Sequence, residues 1–250
     1  MTSKVLAILD AFGPTRTELT LYEIARRASL PPPTAHRLLA ELVGWGAIER
    51  TAERSYRVGL RLWEVAALAP RGLGLRDLAL PFLEDLYEVT HEHVQLAVLD
   101  NLEALFVEKI SGRSAVPIVT RVGGRLPLHA TAVGQVLLAH ADPSVLDDVL
   151  ARGLPRFTDN TITSARRLRR VLADIRLRGE ATCWEQLTYG AVSVAAPVAG
   201  DCGTVVAGLS VVVPTSAEDV RRLVPAVQAA ARGISRAVRG AGSSVGVVRR

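Results

Sequence analysis

Apolar side chains recur at helical spacing in three successive segments near the start of the chain. These segments predict helices over residues 5–12, 20–28 and 34–43. The second helix opens with Thr20 and Glu23 in the spacing of a capping box, and a run of prolines separates it from the third. Two short strands with a polar turn between them follow, at residues 47–50 and 56–59. This order of elements predicts a winged helix-turn-helix.

Beyond residue 60 the helical and strand patterns mix. A helix over residues 60–68 leads into a Pro- and Gly-rich run, residues 70–74, which favours a hinge with the domain boundary near residue 73. Further helices are predicted over residues 75–90 (interrupted at Pro81), 131–139, 164–178 and 217–238. Strands are predicted over residues 94–99, 105–110, 116–120, 192–198 and 205–213. The second part is therefore predicted to be one antiparallel sheet flanked by helices, which makes the chain an α+β protein.

The composition is that of an ordinary globular protein, with 49% hydrophobic and 22% charged residues. Residues 1–73 are predicted to form the winged domain with a linker helix, residues 74–240 a second domain, and residues 241–250, rich in Gly and Ser, a flexible tail. Two cysteines exclude a disulfide framework. Without a signal-peptide pattern or an apolar run near 18 residues, a cytoplasmic protein with no membrane partner is expected.

Charge is concentrated mildly toward the start of the chain. The net charge is +5, and residues 1–75 hold ten basic against seven acidic side chains, whereas the remaining residues hold twenty against eighteen. Only Lys4 and Lys109 are lysines, and the other basic residues are arginines. If the protein binds nucleic acid, the first domain is the place to look.

In a helix-turn-helix the second helix of the pair enters the major groove and offers its outer face to base edges. Four residues form that face of the third helix: Thr34, His36, Arg37 and Glu41. Arg37 is suited to guanine edges or phosphates, and Thr34 stands where backbone amides also meet phosphate. On the predicted wing, three arginines are candidates for contact with the DNA backbone or minor groove: Arg50, Arg54 and Arg57.

Five segments resemble the IclR family of transcriptional regulators. In the first domain they are residues 21–31 (LYEIARRASLP), 34–39 (TAHRLL) and 56–59 (YRVG). In the second they are residues 126–135 (LPLHATAVGQ) and 190–198 (GAVSVAAPV). The resemblance covers nearly residues 3–238, with the motifs in the family's order. It implies an operator-binding first domain and a GAF-like effector-binding second domain.

The resemblance also implies a site for a small organic acid. Its candidate residues are Ala132, Val133, Cys183, Ser193 and Ser210. Ala132 and Val133 match backbone amides that hold the acid group at a helix start in relatives, and the two serines match polar pocket positions. Cys183 stands where some relatives have an acidic residue, and Val212 where some have a Ser. The pocket is therefore expected to be less polar than theirs.

The expected partners are double-stranded operator DNA, the effector and other copies of the chain. The resemblance implies that the first helix and the helix from residue 60 build a dimer, and that effector domains join dimers into tetramers. A single winged domain contacts too few bases for adequate specificity, which also favours two or more copies on DNA.

Two departures from the family's pattern bear on function. Where relatives usually have Ser or a similar N-cap, this chain has Pro33, so Thr34 and backbone amides must meet the phosphate alone. After Thr90 the usual Gly-Glu-Thr is replaced by His91-Glu92-His93. Two histidines at this spacing suggest a metal site, but no third ligand is evident, so a surface or sheet-capping role is favoured. No metal and no other cofactor is predicted.

Two other classes of protein remain as alternatives. His129 is a candidate base, and Cys183 and the serines are candidate nucleophiles, for a hydrolase or thiol enzyme. However, no Gly-x-Ser-x-Gly elbow or reactive-cysteine pattern surrounds them. A metabolite-sensing signalling module that uses its winged domain for protein contacts is the second alternative. We favour a regulator, not an enzyme, that acts as a repressor and whose operator binding a small organic acid controls.

Overall fold

The structure is a computed structural model that describes residues 1–13, 15–69, 74–112, 115–217 and 220–241. It divides into two compact units, residues 1–69 and 70–250. Most of the predicted hinge, residues 70–73, and all but the first residue of the predicted tail, residues 242–250, lie outside the described residues. None of the helices in the described part of the chain is long and apolar enough to cross a bilayer.

The first unit is a winged helix-turn-helix, as predicted. Its helices, in the described ranges, are α1 (Thr2–Asp10), α2 (Leu21–Arg27), α3 (Pro32–Trp45) and α4 (Leu60–Ala66). Its strands are β1 (Glu18–Leu19), β2 (Ile48–Arg50) and β3 (Tyr56–Val58). They pair antiparallel in the order β1-β3-β2. The two-residue β1, which the sequence pattern missed, adds a third strand to the wing.

Local sequence explains why α2 begins where it does. The Thr20 hydroxyl accepts a hydrogen bond from the Glu23 N–H (3.4 Å), and the Glu23 carboxylate accepts one from the Thr20 N–H (2.9 Å). The predicted capping box therefore forms, and the hydrogen bonds that the Glu23 carboxylate accepts from the N–H and the hydroxyl of Thr20 lower the pKa of this carboxyl. The helices and the wing then close on one apolar core, which contains Ile8, Leu19, Ile24, Leu38, Leu39, Ile48 and Tyr56.

Helix α3 begins earlier than the sequence pattern predicts. Pro31 is its N-cap, and Pro32 and Pro33 occupy the first two helical positions. Proline fits there because its fixed φ suits a helix and the first turn needs no N–H. The assignment of Pro33 as the N-cap is therefore wrong. Pro31 also provides no side-chain cap, so the missing hydroxyl is a property of this helix start.

The second unit is a six-stranded sheet with helices on both faces. Its helices are α5 (Leu75–Thr90), α6 (Ala132–His140), α7 (Pro143–Arg152), α8 (Ala165–Arg178) and α9 (Leu223–Gly240). Its strands are β4 (His93–Asp100), β5 (Glu103–Ile110), β6 (Arg125–Pro127), β7 (Ala181–Trp184), β8 (Ala191–Ala199) and β9 (Val205–Pro214). All neighbours are antiparallel, in the order β6-β5-β4-β9-β8-β7. The predicted α+β fold is confirmed.

Successive residues along the strands pack alternately into two separate hydrophobic cores, one on each face of the sheet. On one face, residues such as Leu96, Val194 and Val211 pack with α5 and α9. On the other face, Ala97 and Ala195 pack with apolar residues of α6 and α8. This second face is the one that carries the predicted effector residues.

Strand β5 contains a β-bulge. Ala97 of β4 pairs with Phe106, but its neighbour Leu96 pairs with Glu108, so Val107 is one residue in excess on β5. The alternation of faces is reset at this point. Glu108 consequently turns toward α5, where its carboxylate accepts a hydrogen bond from Arg76.

Three element predictions are wrong. Residues 116–120 form no strand, because the outer edge of β5 is taken by residues 123–127. Helix α5 is not interrupted at Pro81, which lies on its exposed side, where water can satisfy the carbonyl that the missing N–H leaves free. The last helix begins at Leu223, after a single 3₁₀ turn, and not at residue 217.

Candidate nucleic-acid interface and ligand cavity

Helix α3 presents its predicted reading residues on its outer face. His36, Arg37 and Glu41 are exposed and Thr34 is half-buried, whereas Leu38 and Leu39 are buried in the core. Helical periodicity therefore sorts the two sets as the sequence predicts. The Arg37 guanidinium donates to the Glu41 carboxylate at 3.0 Å, one turn along the helix. This pair is exposed, so it holds Arg37 in place only weakly.

The wing carries its three arginines on the surface. Arg57 donates to Glu49, its cross-strand neighbour, at 2.9 Å. Arg54 lies in the β2–β3 turn in the left-handed region, with φ of +62°. Within the described ranges neither Arg50 nor Arg54 makes an ion pair, so both charges are available to a polyanion.

A small cavity of about 50 Å³ lies on the α6 side of the second sheet. Its polar lining includes Gln95, Ser193 and Ser210 together with three threonines, and its apolar lining includes Phe106, Leu126 and Val212. Ala132 and Val133, at the start of α6, close one end. Four of the five predicted effector residues are thus brought together by strands β8 and β9 and one helix terminus.

The start of α6 presents two backbone N–H groups that make no intrahelical hydrogen bond. The Thr131 side chain caps the helix by accepting from the Gly134 N–H (3.1 Å), and the first intrahelical bond runs from the Gln135 N–H to the Thr131 carbonyl. The N–H groups of Ala132 and Val133 precede these bonds, and they carry the positive end of the helix dipole. Together they form the donor pair that a carboxylate needs.

Two buried donors of the cavity have no partner within the described part of the chain. They are Gln95 Nε2 and Ser210 Oγ, on side chains only 2% and 1% exposed. Gln95 and Ser210 face each other across β4 and β9. A buried polar group without a hydrogen bond is costly, so a polar ligand that paired with these two atoms would remove that cost. Gln95 escaped the sequence analysis, although it is the one amide in the apolar run of β4.

Two loops form walls of the cavity, and they are held differently. Residues 185–190 contribute Leu187 and Thr188 and are tied down by three side chains of neighbouring elements, Gln135, Thr158 and Thr161. Residues 115–121, called the strap here, contribute Ile118, Val119 and Thr120. Two side chains from the sheet hold the strap: His93 Nε2 lies 2.7 Å from the Val116 carbonyl, and Lys109 Nζ donates to the Thr120 carbonyl at 2.9 Å.

The structure does not bring Cys183 to the cavity. Cys183 lies opposite Ser193 on the edge strand β7, but its thiol belongs to the apolar core with Leu172 and Ile175 of α8. Burial raises the pKa of this thiol far above its usual range, which keeps it protonated. Cys183 is therefore neither a lining residue nor an activated nucleophile.

The two histidines of the sequence His91-Glu92-His93 lie in different surroundings. His91 is exposed and caps the end of α5 in the left-handed region, with its ring edge-on to Tyr87. His93 is buried against the strap, and burial lowers its pKa. Across the residues that the structure describes, no group of three or more His, Cys, Asp or Glu side chains is placed to hold a metal ion.

His129, the remaining candidate base, is also a buried structural residue. Its Nε2 lies 3.0 Å from the Pro155 carbonyl, and the side chain of Gln135 donates to its backbone carbonyl. Burial lowers the pKa of His129. Among the described residues, the His129 ring thus contacts the Pro155 carbonyl and the ring of Phe157, and neither a serine nor a cysteine.

Two family models match the chain. The model described as the IclR helix-turn-helix domain matches residues 2–52. The model described as the bacterial transcriptional regulator IclR C-terminal matches residues 68–236.

Individual proteins that carry the same family name or description are similar to this chain over most of their lengths. The HTH-type transcriptional regulator XynR of Escherichia coli is 34% identical over 94% of this chain and 95% of its own. The transcriptional repressor IclR of the same organism is 28% identical, over 84% and 78%. An IclR homolog from Microbacterium hydrocarbonoxydans, crystallised with 4-hydroxybenzoate, is 40% identical over 96% of this chain and 99% of its own, with a TM-score of 0.92.

Proposed function

The chain belongs to the IclR family of bacterial transcriptional regulators, and on that premise we propose that it is a repressor whose operator binding is controlled by a small organic acid. In this proposal the outer face of α3 and the wing bind the operator, and the acid binds in the cavity at the start of α6. The family consists of DNA-binding regulators and not of enzymes, so the resemblance and the expected lack of catalysis are both confirmed.

One observation carries the effector proposal. A cavity that ends at the free amides of a capped helix also contains two buried donors, Gln95 Nε2 and Ser210 Oγ, without partners in the described chain. Donors at both ends and apolar walls between them suit a small acid with a flat apolar body. The relative crystallised with 4-hydroxybenzoate makes hydroxybenzoates the first acids to test.

The cavity must widen before such a ring can enter. Its volume is about 50 Å³, whereas a cavity of about 150 Å³ holds benzene in another protein. The strap is the wall most easily moved, because two side chains hold it. We propose that the open and closed positions of the strap differ in their affinity for the acid, as any ligand-driven switch requires.

The working protein is proposed to be a dimer or a pair of dimers. Large apolar side chains are exposed on α1 (Leu6) and α4 (Leu60 and Trp63, which is 62% exposed). Exposed apolar side chains of this size are typical of a surface that another copy covers. Two winged domains also supply the base contacts that a specific operator requires. Because the proposed function is operator binding, the proposed localisation is the cytoplasm.

The division of labour between the units predicts the effect of Arg37→Ala. Removing the guanidinium should weaken operator binding by about 5- to 150-fold, since a good contact to a base edge is worth about 1–3 kcal/mol. Affinity for the acid should change by less than about twofold, because Arg37 belongs to the first unit and the cavity to the second. Fluorescence anisotropy with labelled operator and calorimetry with the acid measure the two.

Arg166→Ala is the matched control, because Arg166 is an exposed arginine on α8 of the second unit. It should leave operator affinity unchanged. Equal losses of operator and acid affinity in Arg37→Ala would contradict the proposed roles.

Acid binding should also stabilise the second unit. At about 100 times its Kd, a ligand that binds only the folded state adds about 2.7 kcal/mol, which raises the Tm of a unit this size by about 5–10 °C. Thermal denaturation with 4-hydroxybenzoate measures the shift. 4-Hydroxybenzyl alcohol, which lacks the carboxylate, is the control, and an equal shift with the alcohol would rule out a carboxylate site at α6.

A further inference from the structure

We propose that Lys109 anchors a second polar group of the effector, so that the cavity selects acids carrying a hydrogen-bond acceptor opposite the carboxylate. The inference rests on the proposed function and deepens it, because it assigns a ligand-binding role to the one lysine of the second unit and narrows the class of acid.

Strand register places three donors in a row on the cavity face. Gln95 of β4 pairs with Lys109 of β5 on one side and with Ser210 of β9 on the other. Directly paired residues of an antiparallel sheet project from the same face. Lys109 Nζ therefore extends this row to the strap, where it meets the Thr120 carbonyl, and Thr120 itself lines the cavity.

The ammonium of Lys109 has unused capacity. It can donate three hydrogen bonds, and the Thr120 carbonyl accepts one. Over the ranges that the structure describes, no carboxylate forms an ion pair with it. The neighbouring carboxylate, Glu108, lies on the opposite face and is held by Arg76.

The surroundings of Lys109 favour an incoming acceptor. Burial lowers the pKa of the Lys109 ammonium, because the charged form has lost water and gained no counter-charge. Gln95 Nε2 is a donor as well, and Ser210 Oγ donates or accepts. A hydroxyl, carbonyl or carboxylate oxygen of the ligand can accept from Lys109 and from one of the two unpartnered groups, whereas an unsubstituted ring leaves Gln95 Nε2 and Ser210 Oγ unpaired.

The same contact ties the ligand to the strap. Lys109 holds the Thr120 carbonyl with one N–H and has others for the ligand, so one side chain bridges the occupied cavity and its wall. An acid with the second acceptor thus closes the strap over itself, and an acid without it gains no such bridge.

Calorimetry on the full-length protein with benzoate and 4-hydroxybenzoate tests this. Wild-type protein should bind 4-hydroxybenzoate about 10- to 100-fold more tightly than benzoate, the ratio expected for a hydrogen bond to a charged group. Lys109→Met keeps the length of the side chain and removes the charge. It should abolish most of this preference and change benzoate affinity by less than about threefold.

Lys4→Met removes the other lysine of the chain, which lies on α1, and should preserve the preference. Gln95→Leu provides a second test that does not depend on the folding of the lysine variant, and it too should reduce the preference. A preference that survives Lys109→Met overturns the inference, as does an equal loss of both affinities in that variant. Failure of wild-type protein to bind either acid would instead count against the effector site itself.

Discussion

Operator affinity is expected to fall by about 10³- to 10⁵-fold when the salt concentration rises from 50 to 200 mM. The estimate follows from the exposed arginines Arg37, Arg50, Arg54 and Arg57, which would give about eight contacts in a dimer. Each phosphate that an arginine neutralises releases condensed counterions, and adding salt opposes that release. Anisotropy titrations at four or five salt concentrations give the slope.

Before DNA binds, two of these arginines are paired with carboxylates of the same chain. Arg37 is held by Glu41 and Arg57 by Glu49, both at the surface. Such pairs are worth little, so phosphate displaces them with a small reduction in slope. Operator variants with altered half-sites serve as the control, since the electrostatic part of the slope is independent of sequence. A signalling module that uses the winged domain for protein contacts predicts no DNA binding even at 50 mM.

Gly134→Ala should damage the effector site and the second unit together. A Cβ at Gly134 would lie 2.5 Å from Thr131 Oγ1, 2.6 Å from Leu128 Cα and 2.7 Å from the Leu128 carbonyl. Two of these atoms are backbone and the third is the cap of α6, so the helix start must shift. Overpacking of this kind costs about 1–3 kcal/mol of unfolding free energy. Displaced amides should weaken carboxylate binding by about 10- to 100-fold.

Gly240→Ala is the matched control, because a Cβ at the end of α9 meets no atom of the described residues within 4 Å. It should leave acid affinity unchanged and stability equal or slightly raised. Denaturant unfolding and calorimetry measure both variants. If Gly134→Ala binds the acid as wild type does, the start of α6 is not the carboxylate site.

The winged unit is predictable because its signals are local. The capping box at Thr20, the prolines before α3 and the left-handed Gly46 that ends it each act within a few residues. Errors arise where the sequence pattern is weak or non-local. Two elements were missed in this way: helix α7, which has one buried apolar residue, Val149, and strand β6, which is only three residues long.

The cavity was predicted only in part, because its members come from distant segments. Thr131 is the N-cap of α6, so the position of Ala132 and Val133 at the start of that helix can be predicted from the local sequence. Gln95 comes to line the cavity, with Lys109 beside it on the same face of the sheet, only through the pairing of β4 with β5 and β9, which no local pattern encodes. The expectation that Cys183 lines the cavity is wrong for the same reason. Strand β7 pairs it with Ser193, but its side chain packs in the core against α8.

The bulge at Val107 decides the sign of the charge that a ligand meets. Counted by strict alternation from Phe106, Glu108 would face the cavity and Lys109 would face α5. The extra residue reverses that assignment, so a backbone irregularity turns a cation instead of an anion toward the cavity face of β5. A protein of this fold with a regular strand and the same residue types would discriminate against anions.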